Sequence, residues 1–516
     1  MSTLTFAALG LIALFLYQYF TNKPRNDLPP GPKPLPIIGN AWEFPPPGAV
    51  EYQHWGRHRD LYGPISSISA LGQTLVIVHD KKLAAELLES ASARTSDRPA
   101  SETSMALQRR ATIMPNLPND STLRRLRALF HQQMGTSKLV ERFRETQEVE
   151  SRRLLLGALD QPECLLDNIR FFAKATILNM TYGYLPKTDE PDPLVDRIER
   201  LVEQIIEILT PGTWLVDIFP IIKYLPRGSP GTGFARAVEV VANDWVEMMD
   251  VPYNLVREQM KDGVHNTSFV SRAIEDRIDN GKQPRSYKEE QAEEHAIKAT
   301  AAVMYSGAVE TTTSTLTVLI LAMVKFPEVQ RKAQEEIDRV VGTDRLPGFQ
   351  DQQSLPYVEA VVTETLRWCP SFPMGLPHTT SHDLTAGSYL IPKGATILPA
   401  VYWFTHDPEV HKEPDVFDPE RYMAPRNEPD PRQVVFGYGR RVCPGRHFAD
   451  ASLYIAAVRL LAAFKLSNEV DDNGNPIEPD FCPRPGVTLR LGAFPFKIAS
   501  RSERHAELIR TVSKAE

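Results

Sequence analysis

The sequence predicts a mainly α-helical body preceded by one N-terminal transmembrane helix, and three observations carry this. Apolar residues recur at helical spacing through much of the stretch from Lys81 to Val340. Near its end, from Ser286 to Phe326, there is no Pro and only one Gly. The chain also opens on an uncharged run, Ser2 to Asn22.

That run is almost continuously apolar from Leu4 to Phe20, with Tyr17 and Tyr19 at the interfacial end, so residues 1–22 are long enough to cross a bilayer as an anchor. Lys23, Arg25 and Lys33 follow it, and the positive-inside rule then leaves the remaining chain on the cytosolic side. The sequons at Asn119, Asn179 and Asn266 would consequently meet no glycosylation machinery. Residues 23–40 form a Pro-rich hinge: in Leu28-Pro-Pro-Gly-Pro-Lys-Pro-Leu-Pro-Ile-Ile-Gly39 the prolines forbid helix and favour a stiff spacer. The folded body is residues 41–516. Within it, Ile65 to His79 carries β-branched residues around a Gly and predicts a strand pair. Ser286 with Glu289 is a capping box, and the 40 residues that follow predict a single helix of about 60 Å crossing the body.

Composition narrows the function. With 42% hydrophobic and 24% charged residues the chain is globular, and a formal charge of −7 argues against a nucleic-acid binder. The four cysteines, Cys164, Cys369, Cys443 and Cys482, show neither zinc spacing nor a disulfide framework. In the middle of the long helix, Glu310 and the hydroxyls of Thr311 to Ser314 interrupt small apolar residues, a costly place for a carboxylate unless it is paired or functional. Thr hydroxyls bonded to the preceding turn and a salt-bridged Glu are the alternative there.

The stretch Phe436-Gly-Tyr-Gly-Arg-Arg-Val-Cys-Pro-Gly445 holds a Cys in a Gly-rich loop beside positive charge, which suits a thiolate held as an axial metal ligand. It meets the whole pattern F-x-x-G-x-R-x-C-x-G, and here the chain resembles the cytochrome P-450 family of haem-thiolate monooxygenases. The family's E-x-x-R is matched by Glu364-Thr-Leu-Arg367, and Arg421 in Pro419-Glu-Arg-Tyr422 completes its charged triad. Its oxygen-binding helix is matched by Gly307-Ala-Val-Glu-Thr-Thr312, although Ala308 stands where the pattern has Gly and its methyl narrows the space. The family's W-x-x-x-R becomes Leu123-Arg-Arg-Leu-Arg127, which keeps the Arg and loses the Trp.

The resemblance runs from the hinge to about Ala499, and the segment from Asp217 to Gly231 looks like fungal microsomal members. It implies an α-helical prism with a small β region and haem b bound through Cys443 as the metal ligand. It also implies Arg127, His378 and Arg441 on the haem propionates, with Glu310 and Thr311 as the catalytic acid and alcohol. No flavin or ferredoxin signature is present, so electrons from NADPH would arrive indirectly through an NADPH-cytochrome reductase, cytochrome b5 being a further candidate partner. Arg124, Arg125, Arg440 and Arg446 are the candidate docking residues. The implied location is the endoplasmic reticulum membrane, single-pass, with the catalytic domain in the cytosol. The implied activity is oxidation of a hydrophobic small molecule, a terpenoid-type fungal secondary metabolite, with an aromatic or xenobiotic compound as the alternative. A haem-thiolate isomerase in the same fold, and a haem-binding sensor or carrier without turnover, are the rival functions. The pocket is expected near Ile113 and Met114, residues 205–220, Val303, Ala308, Phe372, Met374 and Pro483.

Overall fold

A computed structural model describes residues 27–514, apart from 37, 47, 71, 188–191, 210–212 and 280–285. The expected anchor, 1–22, lies outside the described residues, as do residues 23–26 of the hinge.

The described body is mainly helical, with one four-stranded sheet and several strand pairs. The helices that build the site are α1 (Ser121–Met134), α2 (Leu165–Tyr182), α3 (Tyr287–Lys325), α4 (Pro356–Trp368) and α5 (Arg446–Ala463). The sheet joins β1 (Ile65–Ala70), β2 (Gln73–Val78), β3 (His378–Thr379) and β4 (Thr396–Pro399) in the order β1-β2-β4-β3. β1 and β2 are antiparallel with Ile65 opposite Val78, the expected hairpin, and β2 runs parallel to β4. A short antiparallel pair near the C-terminus, β5 (Pro483–Arg484) and β6 (Arg490–Leu491), projects a turn.

Part of the Pro-rich segment lies against β1. The carbonyls of Pro29 and Pro30 accept from Ser67, the first from its hydroxyl at 2.6 Å and the second from its N–H at 2.8 Å. Gly31 sits so close to the Ser67 carbonyl that a side chain there would collide with it.

α3 is the axis of the fold. The Ser286 hydroxyl accepts from the Glu289 N–H at 3.3 Å, and no residue interrupts the 39 residues that follow. It is long and apolar enough to cross a membrane, yet two-thirds of its apolar window is buried by other elements, as befits a core helix. α2 packs along it, and α1, α4 and α5 pack against its other sides.

Beyond α4 the chain returns in a meander fixed by a buried ion network. Glu364 pairs with Arg367 at 2.8 Å and Arg421 at 3.2 Å, all three being at most 1% exposed. Tyr422 donates its hydroxyl to the same carboxylate at 3.1 Å. The guanidiniums spend their other N–H groups on backbone carbonyls: Arg367 on Thr405 and Pro414 at 2.8 Å, Arg421 on Glu413 at 2.7 Å. A loop without a ladder of its own is thus tied to α4 by side chains. The network ends just before the Cys443 loop.

Candidate active site

The Cys443 loop is shaped by backbone. Gly437 and Gly439 adopt φ of +78° and +50°, and a Cβ on Gly439 would come within 2.4 Å of the Leu88 carbonyl, so only glycine lets the loop lie that close. The Cys443 N–H donates to the Phe436 carbonyl at 2.7 Å, which closes the loop, and Gly445 caps the start of α5. The thiol therefore sits one turn before a helix N-terminus, where a negative charge is favoured. Burial pushes its pKa up, while a Gly445 N–H and the guanidiniums of Arg127 and Arg446 pull it down. This is a thiol that ionises once a cation coordinates it.

Three guanidiniums gather beside the loop. Arg127 on α1 donates to the Val442 carbonyl at 2.9 Å. Arg441 donates from Nε to the Ser96 carbonyl at 2.7 Å and also to Leu117. Arg98 donates to the carbonyls of Pro115 at 2.9 Å and Leu376 at 3.1 Å. All three hold their protons less tightly than usual, first because they are buried; a second cation adds to this at Arg98 and Arg441, which fall to about 9 and about 10, while Cys443 partly offsets it at Arg127. Asp97 and Asp120 moderate Arg441 from a distance, but both already accept backbone N–H groups, of Asn119 and Leu123 respectively.

His378, the first residue of β3, is 3% exposed. Its Nδ1 lies 2.9 Å from the Thr95 carbonyl, and burial followed by Arg98 depresses its pKa to about 3. It is neutral, with the proton on Nδ1 assigned from that bond and a lone pair at Nε2. The structure thus brings Arg127, Arg441, His378 and Cys443 together, and adds Arg98. That arginine, in Ser-Asp-Arg-Pro, carried no motif or periodicity by which the sequence could single it out.

The middle of α3 opens onto space. Gly307 is exposed although its helix is mostly buried, and a Cβ there would meet nothing within 4 Å. Thr311, one turn later on the same face, donates its hydroxyl to the Gly307 carbonyl at 3.0 Å. Glu310 is ion-paired, with Arg490 at 2.6 Å and Arg170 at 3.8 Å. The structural alternative for this helix is therefore present in both its parts: the Thr bonds backwards and the Glu has cationic partners. The helix remains regular through Ala308. One apolar cluster contains Ile113, Met114, Ile205, Ile208 and Val303, with Trp214 and Ala308 packed on it, whereas Met374 belongs to a neighbouring cluster.

Among the expected docking arginines, Arg124 and Arg440 are exposed, Arg125 is exposed and pairs with Glu293 at 3.5 Å, and Arg446 is partly buried beside Cys443.

A half-buried thiol before a helix N-terminus, flanked by three guanidiniums anchored on carbonyls, fits a group offering both a thiophilic metal and carboxylates. Haem b has both.

Comparison with known proteins agrees. The Cytochrome P-450 family model matches residues 29–489. The cytochrome P-450 monooxygenase CLM2 of Gibberella zeae is 43% identical over 507 residues, covering 97% of this chain and 94% of that protein. The multifunctional cytochrome P-450 monooxygenase af510 of Aspergillus fumigatus is 41% identical over 519 residues, 99% of this chain and 96% of its own. The O-methylsterigmatocystin oxidoreductase of Aspergillus flavus is 37% identical over 499 residues, 95% and 90% of the two chains.

Proposed function

The chain belongs to the cytochrome P-450 family and is a monooxygenase, and from that premise we propose that it oxidises a terpenoid-type fungal secondary metabolite at the cytosolic face of the endoplasmic reticulum. Cys443 would ligate the iron of haem b, and Arg98, Arg127 and Arg441 would hold its propionates. His378, beside Arg98 and Arg441, would complete that set. Haem held there through a thiolate would supply the activation of dioxygen, at the expense of two electrons and two protons, that places one oxygen atom on the substrate.

The residues of this chain supply what remains. The loop 436–445 excludes water from the thiolate with glycine backbone in place of side chains. Thr311 offers a hydroxyl at the open face of α3, and Glu310, the neighbouring acid, exchanges its proton with solvent. The apolar cluster of Ile113, Met114, Ile205 and Val303 supplies the walls for a hydrophobic substrate. Electrons enter from an NADPH-cytochrome reductase, or from cytochrome b5, docked by Arg124, Arg125, Arg440 and Arg446. The uncharged run 1–22 anchors the protein in the same membrane.

The observation that carries this reading is the convergence of Cys443 with Arg98, Arg127 and Arg441 in one partly buried site. The test is expression with a fungal reductase in a host that makes terpene precursors. NADPH-dependent appearance of a product one oxygen heavier than a terpene precursor is the expected result. A product formed without NADPH would indicate an isomerase, and haem loading without any turnover a carrier; either would sink the proposal.

A further inference from the structure

Glu310 stands at the middle of a core helix, and the way its charge is met is unequal. Arg170 on α2 approaches it only to 3.8 Å and is engaged by Glu199 at 3.1 Å, a carboxylate that also takes Lys174 at 2.6 Å. Arg490 on β6 is the close partner at 2.6 Å. The hairpin that carries Arg490 is itself fastened to α3 next door. The Leu489 carbonyl accepts the hydroxyl of Ser314, one turn beyond Glu310, and the Leu489 N–H donates to the Ser371 carbonyl at 2.8 Å. Ser371 in turn touches the Thr315 hydroxyl at 3.1 Å and the Thr311 carbonyl at 3.5 Å. Leu489 is buried, while the Arg490 side chain is 39% exposed, so the ion pair has fold on one side and solvent on the other.

We infer that Arg490 is the positioning residue of Glu310, fastening the acid to the β5–β6 hairpin so that proton supply to Thr311 depends on where that hairpin lies. The inference rests on the roles proposed above for Glu310 and Thr311.

As the side chains stand, neither reaches toward the other: the carboxylate faces Arg490 and the hydroxyl faces the Gly307 carbonyl. A proton therefore passes in two moves. The carboxylate takes it from solvent at its exposed edge, which weakens the ion pair, and then gives it to the Thr311 hydroxyl oxygen while that hydroxyl passes its own proton to a basic oxygen in the open space beside α3; the restored carboxylate then pairs with Arg490 again. Nothing is oxidised or reduced in these moves, and the guanidinium keeps its protons throughout. An arginine suits the task because it stays charged at every relevant pH and its planar fork fixes a carboxylate's direction.

The experiment compares Arg490→Gln, Arg490→Lys and Glu310→Gln in the haem-loaded full-length protein with its reductase. Turnover is read as hydrogen peroxide released per NADPH oxidised, in ordinary and heavy water, with 7-ethoxycoumarin as the hydrophobic probe. Arg490→Gln is expected to raise the peroxide yield several-fold, a smaller effect than the 10²-fold or more that loss of a proton-transfer group can cost, and to enlarge the solvent isotope effect. Arg490→Lys should recover at least half of the difference. Hydrogen exchange, measured without turnover, is expected to rise over 483–491 in both Arg490→Gln and Glu310→Gln, and no further in the double variant. If Glu310→Gln raises peroxide and Arg490→Gln does not, the positioning role is wrong while the reading of Glu310 stands. If Glu310→Gln leaves the yield unchanged, the reading of the acid itself fails and the inference goes with it. Exchange rising across the whole chain in Arg490→Gln would mean a general loss of structure and would equally overturn the role.

Discussion

Thr311 and Thr312 are neighbours on one helix, yet they meet different surroundings. Thr311 follows Gly307 by one turn and shares its open face, while Thr312 lies about 100° around the helix and is buried. Replacing Thr311 by Ala removes the hydroxyl at the open face and keeps a good helix former. Thr311→Ala is expected to consume NADPH at a substantial rate but divert most of it to hydrogen peroxide, with Thr312→Ala unchanged in that ratio. The reverse pattern would show that Ala308 has shifted the register over the site. Cys443→Ala is expected to abolish the red-shifted carbon-monoxide band of a thiolate-ligated ferrous haem. Cys164, Cys369 and Cys482 lie outside the glycine loop, so their alanine variants should keep that band.

At the scale of elements, the network of Glu364, Arg367 and Arg421 locks α4 to the meander that leads into the Cys443 loop. Its geometry is good, but burial means that its removal is asymmetric: the intact network gains little or nothing over a well-packed apolar core, while losing one partner strands a charge. Glu364→Gln leaves Arg367 with carbonyls alone and Arg421 with Glu428 at 3.5 Å as its remaining carboxylate. The expected cost is about 3–5 kcal/mol, read as a lowered unfolding midpoint and a smaller yield of haem-loaded protein. An unfolding midpoint equal to that of the parent would show that the carbonyls around Arg367 and Arg421 suffice by themselves.

For the whole molecule, acid stability follows from buried neutral histidines. His58 and His79 are lowered to about 4 and His406 to about 3, in each case first by burial; a nearby Arg367 adds to it at His406. An unfolded His has a pKa of about 6.5 and takes a proton well before its folded counterpart does. The unfolded state therefore binds more protons as pH falls from about 6.5 toward 4, and stability drops across that window. Each such His is worth on the order of 2 kcal/mol at pH 5. His406→Gln is expected to flatten the fall of unfolding midpoint between pH 7 and pH 5; an unchanged slope would show that His406 is not one of the groups responsible. Topology is the second expectation at this scale. In intact microsomes added protease should digest the body, with Asn119, Asn179 and Asn266 free of glycan, and protected glycosylated protein would overturn the cytosolic orientation.

The sequence by itself determined what short-range chemistry can specify. The spacing of glycines around Cys443, the E-x-x-R of Glu364 and Arg367, and the capped, Pro-free run after Ser286 are each set within a few residues. The strand pair from Ile65 to His79 is local in the same way. The tertiary structure decided what depends on residues far apart in the chain. Arg98, Arg127 and Arg441 come from three distant segments and become one site only because α1 and the segments around Arg98 and Cys443 pack together. Glu310 was legible as a carboxylate in an apolar helix, but its partners, Arg170 and Arg490, lie 140 residues before it and 180 after it. An ion pair over such separations leaves no periodicity or spacing in the chain, since charge attracts through space and only folding decides which charges meet.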